Sequence, residues 1–294
     1  MPVAHLADRA VVKVSGPQAA TFLDGLVTCD IAPDGDGPPQ FGALLTPQGK
    51  ILFDFVIHRT RDADGPVFLL DTARPQAADL AKRLAFYKLR AKVTVADLSD
   101  DLAVLAGWDA PPIPAEAGLV GPDPRRPELG WRAVVAAGDA AEFADAAPRV
   151  YHAHRIACGV PEGGRDFLFG EAFPHEALMD QLGGVDFKKG CYVGQEVVSR
   201  MQHRGTARTR ILPARYADDL APETGVDVMA GEKVAGKTGS AVDGAGLVMV
   251  RLDRIADAAE AGAPLSAGGR PLTLARPSWI SFETPGVAAA LTKP

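Results

Sequence analysis

The chain has 294 residues, 47% of them hydrophobic and 23% charged, with a formal net charge of −6. That is the composition of an ordinary globular protein long enough for two or three cores, and it excludes a whole-protein basic field for nucleic acid. No apolar run approaches the roughly 20 residues that span a bilayer, and MPVAHLADRA lacks the pattern of a secretion signal. A cytosolic protein that does not engage a membrane is expected.

In chain order, Val11 to Val14 reads as a strand, and Gly16-Pro17 opens a helix carrying Ala19, Phe22, Leu23 and Leu26 on one face. FGALL and ILFDFVIHR flank Thr46-Pro47-Gln48-Gly49, a turn with proline and glycine where a type I turn accepts them. Along the second strand Ile51, Phe53, Phe55 and Ile57 make one apolar face. Leu52, Asp54, Val56 and His58 make a mixed one, which predicts a sheet covered on one side. PVFLLDT is a further strand, and a helix from Pro75 buries Leu80, Ala81 and Leu84. VTV, LAVLAGW and WRAVVAA read as strands, whereas residues 111–127 are too rich in proline for regular structure and predict a surface loop. After about residue 206 short strand-like pieces alternate with glycine, proline and Asp243-Gly244 turns, which predicts a separate small β domain. The fold class expected is α+β, with domain limits at 1–205 and 206–294.

Three cysteines, Cys29, Cys158 and Cys191, form no CxxC pair and leave an odd thiol. This argues against a disulfide framework and makes a complete four-cysteine metal site impossible within one chain. Cys191 lies in VDFKKGCYVGQEVVSRMQHRG, where Gly190 and Gly194 bracket a tight loop and Gln195 to Arg204 has helical spacing. The thiol therefore precedes a helix start and follows Lys188 and Lys189, two effects that favour thiolate in an exposed cysteine. A buried, inert cysteine in a glycine turn is the alternative.

KGCYVGQE, Lys189 to Glu196, resembles the KGC-aromatic-x-GQE motif of YgfZ-type proteins, relatives of the aminomethyltransferase (T-protein) of the glycine cleavage system. The likeness extends to the QGKILFDF hairpin, RIACGVPEGG and the terminal β domain. It implies an aminomethyltransferase-like multi-domain ring ending in a small β-barrel, with tetrahydrofolate as cofactor and iron–sulfur carrier or client proteins as partners. Cys191 and Lys189 are then the candidates for chemistry. Tyr151, Tyr192, Gln195, Glu196, Arg208 and Arg210 are the candidates for folate, which needs an apolar or aromatic slot for its pterin and cations for its glutamate tail. The role of Cys191 stays open among a transient sulfur, iron or carbon adduct and contact with a partner. Two departures argue against ordinary aminomethyl transfer: Ala78 and Ala157 stand where those enzymes carry acidic residues. The rival readings are a true folate-dependent aminomethyltransferase or demethylase, and a docking scaffold without folate.

Three other patterns carry less. GEKVAGKT satisfies GxxxxGK[ST], but a glycine-broken, strand-like run follows it where a phosphate loop needs a helix. His154 and Cys158 are spaced to share a helical face, yet two ligands do not close a zinc site. The basic stretch 201–210 has no aromatic residue for base stacking, which argues against RNA.

Overall fold

The hairpin around Thr46-Pro47-Gln48-Gly49 is formed: the Gly49 amide donates to the Thr46 carbonyl at 2.8 Å, with Gly49 at φ +80°. It joins the strands Gln40–Leu45 and Ile51–Asp62 in a computed structural model that describes residues 2–289 apart from 33, 35, 36 and 206. The chain divides into two units, Met1–Tyr151 with Leu182–Val197, and His152–Gln181 with Val198–Pro294.

The first unit holds two antiparallel sheets. One has five strands in the order Gln40–Leu45, Ile51–Asp62, Gly65–Ala73, Arg9–Ser15, Thr94–Asp97. Helices Ala19–Asp24 and Ala77–Tyr87 cover one face, where Leu23, Leu80 and Leu84 pack with Val12, Val14, Phe55, Ile57, Phe68 and Leu70. The opposite face is covered as well. Val11, Val67 and Leu69 pack with Ala4, Val104 and Val134 of a second sheet ordered Val3–His5, Leu102–Gly107, Trp131–Ala136, Gly118–Pro122. The one-sided sheet expected from alternation is therefore corrected: Asp54, Val56 and His58 are buried between two sheets. The proline-rich stretch also contains more than a loop. Gly118–Pro122 pairs with Trp131–Ala136 as an edge strand, a position that tolerates proline.

The second unit is built on short antiparallel strands in the order Thr209–Tyr216, Ala245–Arg251, Lys233–Val242, Asp227–Ala230, Leu265–Ala267, Arg270–Arg276. Thr209–Tyr216 also pairs with Arg270–Arg276, so these six strands close into a barrel; Ala288–Ala289 adds a short parallel pairing to Arg270–Arg276. Leu212, Tyr216, Val248, Val250 and Leu274 fill the interior, with Ile255 from the helix Leu252–Glu260. The irregular run after the helix Pro148–Ala157 is tied to this barrel by the fully buried Arg155. Its guanidinium donates to Asp166 Oδ2 at 2.7 Å, to the Val160 carbonyl at 3.1 Å and to Ser240 Oγ at 2.8 Å. Asp166 Oδ1 accepts in turn from the Ser240 amide and hydroxyl. Each group of this knot has a partner, so burying its charge does not leave an orphan.

Candidate functional site

The loop before the helix Gln195–Arg204 is held from inside by Lys189. Its Nζ donates to the carbonyls of Asp24, Val27 and Cys29 at 2.8, 2.9 and 2.7 Å, and lies 2.9 Å from Asp24 Oδ1. An ammonium has three N–H groups. All three are engaged, and the side chain is 0% exposed. The loop is laced to the same segment elsewhere. Thr28 Oγ1 donates to the Gly184 carbonyl, the Asp186 amide donates to the Thr28 carbonyl, and Asp186 Oδ1 accepts from the Lys188 and Lys189 amides. The expectation that Lys189 serves the chemistry is thus corrected. Its charge is turned into the 24–29 segment, and it positions the loop.

Cys191 is exposed, unlike Cys29, which is enclosed opposite Gly42 and whose thiol is pushed up to about 12 by burial. The loop around Cys191 cannot drift. Gly194 adopts φ +81°, and a Cβ there would stand 2.5 Å from the Thr46 carbonyl oxygen and 3.1 Å from Gly49 Cα. Gly49, on the facing turn, is less confined, with a Cβ there 3.0 Å from Val197 Cβ and 3.3 Å from the Gly194 carbonyl oxygen. Both glycines are at positive φ, and Gly194 brings the motif against the hairpin turn at a distance no side chain allows. Tyr192 anchors the same loop from below. Its ring lies 5.6 Å from Lys189 Nζ, and burial, with Asp186 nearby, pushes its phenol up to about 12. The result is one solvent-facing sulfur on a rigid mount.

The remaining candidates do not gather around that sulfur as one set. Gln195 and Glu196 begin the helix that follows it, Gln195 donating its amide to the Tyr192 carbonyl at 3.3 Å. Tyr151 lies elsewhere in the first unit, fully buried against Trp108, with its hydroxyl accepting from Arg125 at 2.8 Å. Tyr151 as an open stacking surface is corrected, since its ring is a core element. In the second unit Arg210 is buried, donating to Asp180 Oδ1 at 2.7 Å and to the His175 carbonyl at 2.6 Å above the Phe282 ring. A free cation for a folate tail is therefore not found at Arg210, whereas Arg208 is exposed.

Sequence reasoning missed a buried polar cluster in the first unit. Arg9 Nε donates to Asp71 Oδ1 at 2.6 Å, Arg132 Nε lies 3.1 Å from Asp71 Oδ2, and Arg125 is paired with Asp123. None of the Arg132 nitrogens meets a partner in hydrogen-bonding geometry, nor does His58 Nε2, although both side chains are buried. Burial, reinforced by Arg132, lowers His58 from its ordinary 6.5 to about 4, so its imidazole is neutral at physiological pH. The mixed face of ILFDFVIHR was the available signal: Asp54 and His58 interrupt an apolar pattern on a strand that proves to be central. Of the other patterns, GEKVAGKT forms a barrel strand with no helix after it, and Cys158 Sγ lies 3.8 Å from His154 Nε2.

The family described as "CAF17, C-terminal beta-barrel domain" matches residues 208–282. A mitochondrial iron–sulfur cluster assembly factor IBA57 homologue of Mycosarcoma maydis is 35% identical, over 96% of this chain and 86% of its own length. Human mitochondrial IBA57 is 34% identical, over 76% of this chain and 68% of its own length. In three dimensions, glycine cleavage system aminomethyltransferase T from Bartonella henselae superposes with a TM-score of 0.70 at 17% identity, covering 92% of this chain and 83% of that one. The fold is therefore aminomethyltransferase-like, with a C-terminal β-barrel. The cytosolic address expected above is overturned by the mitochondrial names of these relatives. Reduced thiols and the lack of an apolar span fit any reducing compartment and never distinguished between them. Among the described residues no helix is long and apolar enough to cross a membrane. By sequence identity sustained over nearly its whole length, the chain belongs to the IBA57 family of iron–sulfur cluster assembly factors.

Proposed function

We propose that this protein is a tetrahydrofolate-binding accessory factor for the assembly or repair of iron–sulfur proteins, a counterpart of the YgfZ-type proteins, with Cys191 as its working thiol. The observation that carries the reading is the mount of Cys191: an exposed sulfur on a loop fixed by the Lys189 carbonyl clamp and the Gly194–Gly49 contact. Such a thiol, as thiolate, serves as a nucleophile or as one ligand to iron. A single sulfur cannot hold a cluster, which needs several thiolates, so the cluster is cargo and its other ligands belong to a carrier or client protein.

Folate is supported by the fold and by the donor set of the buried cluster. A pterin presents N–H donors beside a carbonyl and ring nitrogens. Asp71 can accept from the former, while Arg132 and neutral His58 have unmade hydrogen bonds to offer the latter. Those three residues would hold the pterin, and a bound reduced folate would supply a one-carbon carrier. Ala157 stands where aminomethyltransferases carry a glutamate, which weighs against ordinary aminomethyl transfer.

Two experiments test the reading. A strain lacking the gene, complemented with Cys191→Ala, should fail to restore an aconitase-type enzyme; full restoration makes the thiol dispensable. Titration calorimetry of the purified chain with tetrahydrofolate should show binding, and no heat would leave a docking scaffold without folate. Turnover of an aminomethyl donor would favour the transferase instead.

A further inference from the structure

We propose that the outer face of the barrel carries a docking groove for an acidic, apolar-interrupted segment of a partner protein, a function independent of folate and of Cys191. The groove is made by the GEKVAGKT strand. Lys233–Val242 is paired to Asp227–Ala230 from Lys233 and, from Gly236 onward, to Ala245–Arg251, so it is an interior strand of the barrel. A register shift opposite Val228 and Met229 leaves Ala235 as an extra, buried residue and leaves Val234 40% exposed. At Gly236 the neighbouring strand runs so close that a Cβ would lie 2.0 Å from the Met249 carbonyl oxygen, so backbone forms the floor.

Two hollows of about 280 and 560 Å³ share Val234, Arg251 and Arg254. Lys233 and Lys237 complete the cationic rim, and Met249 adds apolar surface beside Val234. Two of the cations are held in place: Arg251 by Asp253 through two hydrogen bonds, and Lys237 by Asp227 at 2.8 Å. Lys233 and Arg254 make no ion pair among the described residues and are the charges on offer. On a chain of net charge −6, a lining in which Lys233, Lys237, Arg251 and Arg254 outnumber Asp253 and Asp257 is a local excess of cations, and it favours an acidic occupant. The apolar surface of Val234 and Met249 adds a second requirement, for an aliphatic side chain between the acids. Polypeptide fits better than nucleic acid here, because no aromatic lines the groove for stacking.

The test uses the full chain and a fluorescent synthetic peptide of alternating aspartate and leucine, followed by anisotropy at low salt. Binding is expected, weakening as salt rises. The double variant Lys233→Glu with Arg254→Glu should lower affinity about tenfold or more, since each reversal replaces an attraction by a repulsion. The same reversal at the exposed Lys82 and Arg83 should leave affinity unchanged. Val234→Asn should weaken binding without altering the salt dependence. Circular dichroism confirms the fold, and Lys233→Gln with Arg254→Gln stands in if the reversed variant unfolds. No binding at low salt, equal binding by the double variant, or tighter binding of single-stranded oligouridine would each overturn the proposal.

Discussion

Lys189 and Asp24 meet at 2.9 Å beneath the Cys191 loop, and the same ammonium caps three carbonyls of the segment that Asp24 begins. The lysine is fully enclosed while Asp24 remains a third exposed. Removing the ammonium would leave three carbonyls without donors and a carboxylate without its cation. We expect Lys189→Ala to cost about 3 kcal/mol, the lower end for breaking a buried pair, because water can still reach Asp24. Lys189→Arg should not restore stability, since a planar guanidinium cannot cap three carbonyls that converge on one point. Urea unfolding measures both, and a loss below about 1 kcal/mol for the alanine variant would refute the clamp.

Alkylation should rank the thiols. Cys191 is exposed and Cys158 half-buried, while Cys29 is enclosed with its thiol pushed up to about 12. Because the thiolate is the nucleophile, iodoacetamide on the folded protein should label Cys191 first and Cys29 only after unfolding. Mass spectrometry of a time course reads the order. Labelling of Cys29 at the rate of Cys191 would show that the 24–29 segment opens.

Stability should decline in mild acid, above the range in which ordinary carboxylates titrate. His58 falls from 6.5 to about 4 through burial first, with Arg132 adding to the effect, and His175 is lowered too. As pH drops, the unfolded chain takes up these protons before the folded one. The stabilisation is therefore fully present above pH 6.5 and lost progressively toward pH 4, by up to about 3 kcal/mol for His58. Urea midpoints compared at pH 7 and pH 5 should differ for the natural protein and differ less for His58→Gln. An unchanged pH dependence in that variant would place the titration elsewhere.

These residues also show how far sequence carries. Cys191 was legible because flanking glycines and a helical pattern are local signals, and so was the barrel, whose short strands are punctuated by glycine and proline. The function of Lys189 was not, because its partners are backbone carbonyls 160 to 165 positions away, which no side-chain pattern encodes. Arg132 and Asp71 come from strands of different sheets, so their meeting depends on how the sheets stack. The edge strand Gly118–Pro122 was hidden by the proline that its edge position tolerates. Tyr151 read as a ligand contact because the family resemblance calls for an aromatic slot, and an aromatic looks the same in sequence whether it faces a cavity or a core.

The contact between Gly194 and Gly49 gives the last test, one that separates the mount from the sulfur it carries. Alanine at position 194 would need both a left-handed φ of +81° and room that the Thr46 carbonyl occupies at 2.5 Å. Each demand alone costs on the order of 1–3 kcal/mol. The loop is expected to escape by lifting off the Thr46–Gly49 turn rather than by unfolding the sheet beneath it. Gly194→Ala should therefore keep its circular dichroism, lose about 2 kcal/mol in urea, and fail to support client iron–sulfur enzymes with Cys191 intact. Iodoacetamide should still label Cys191, because the thiol stays exposed while its placement is lost. If Gly194→Ala supports those enzymes fully, rigid placement of the sulfur is not what the family motif preserves here.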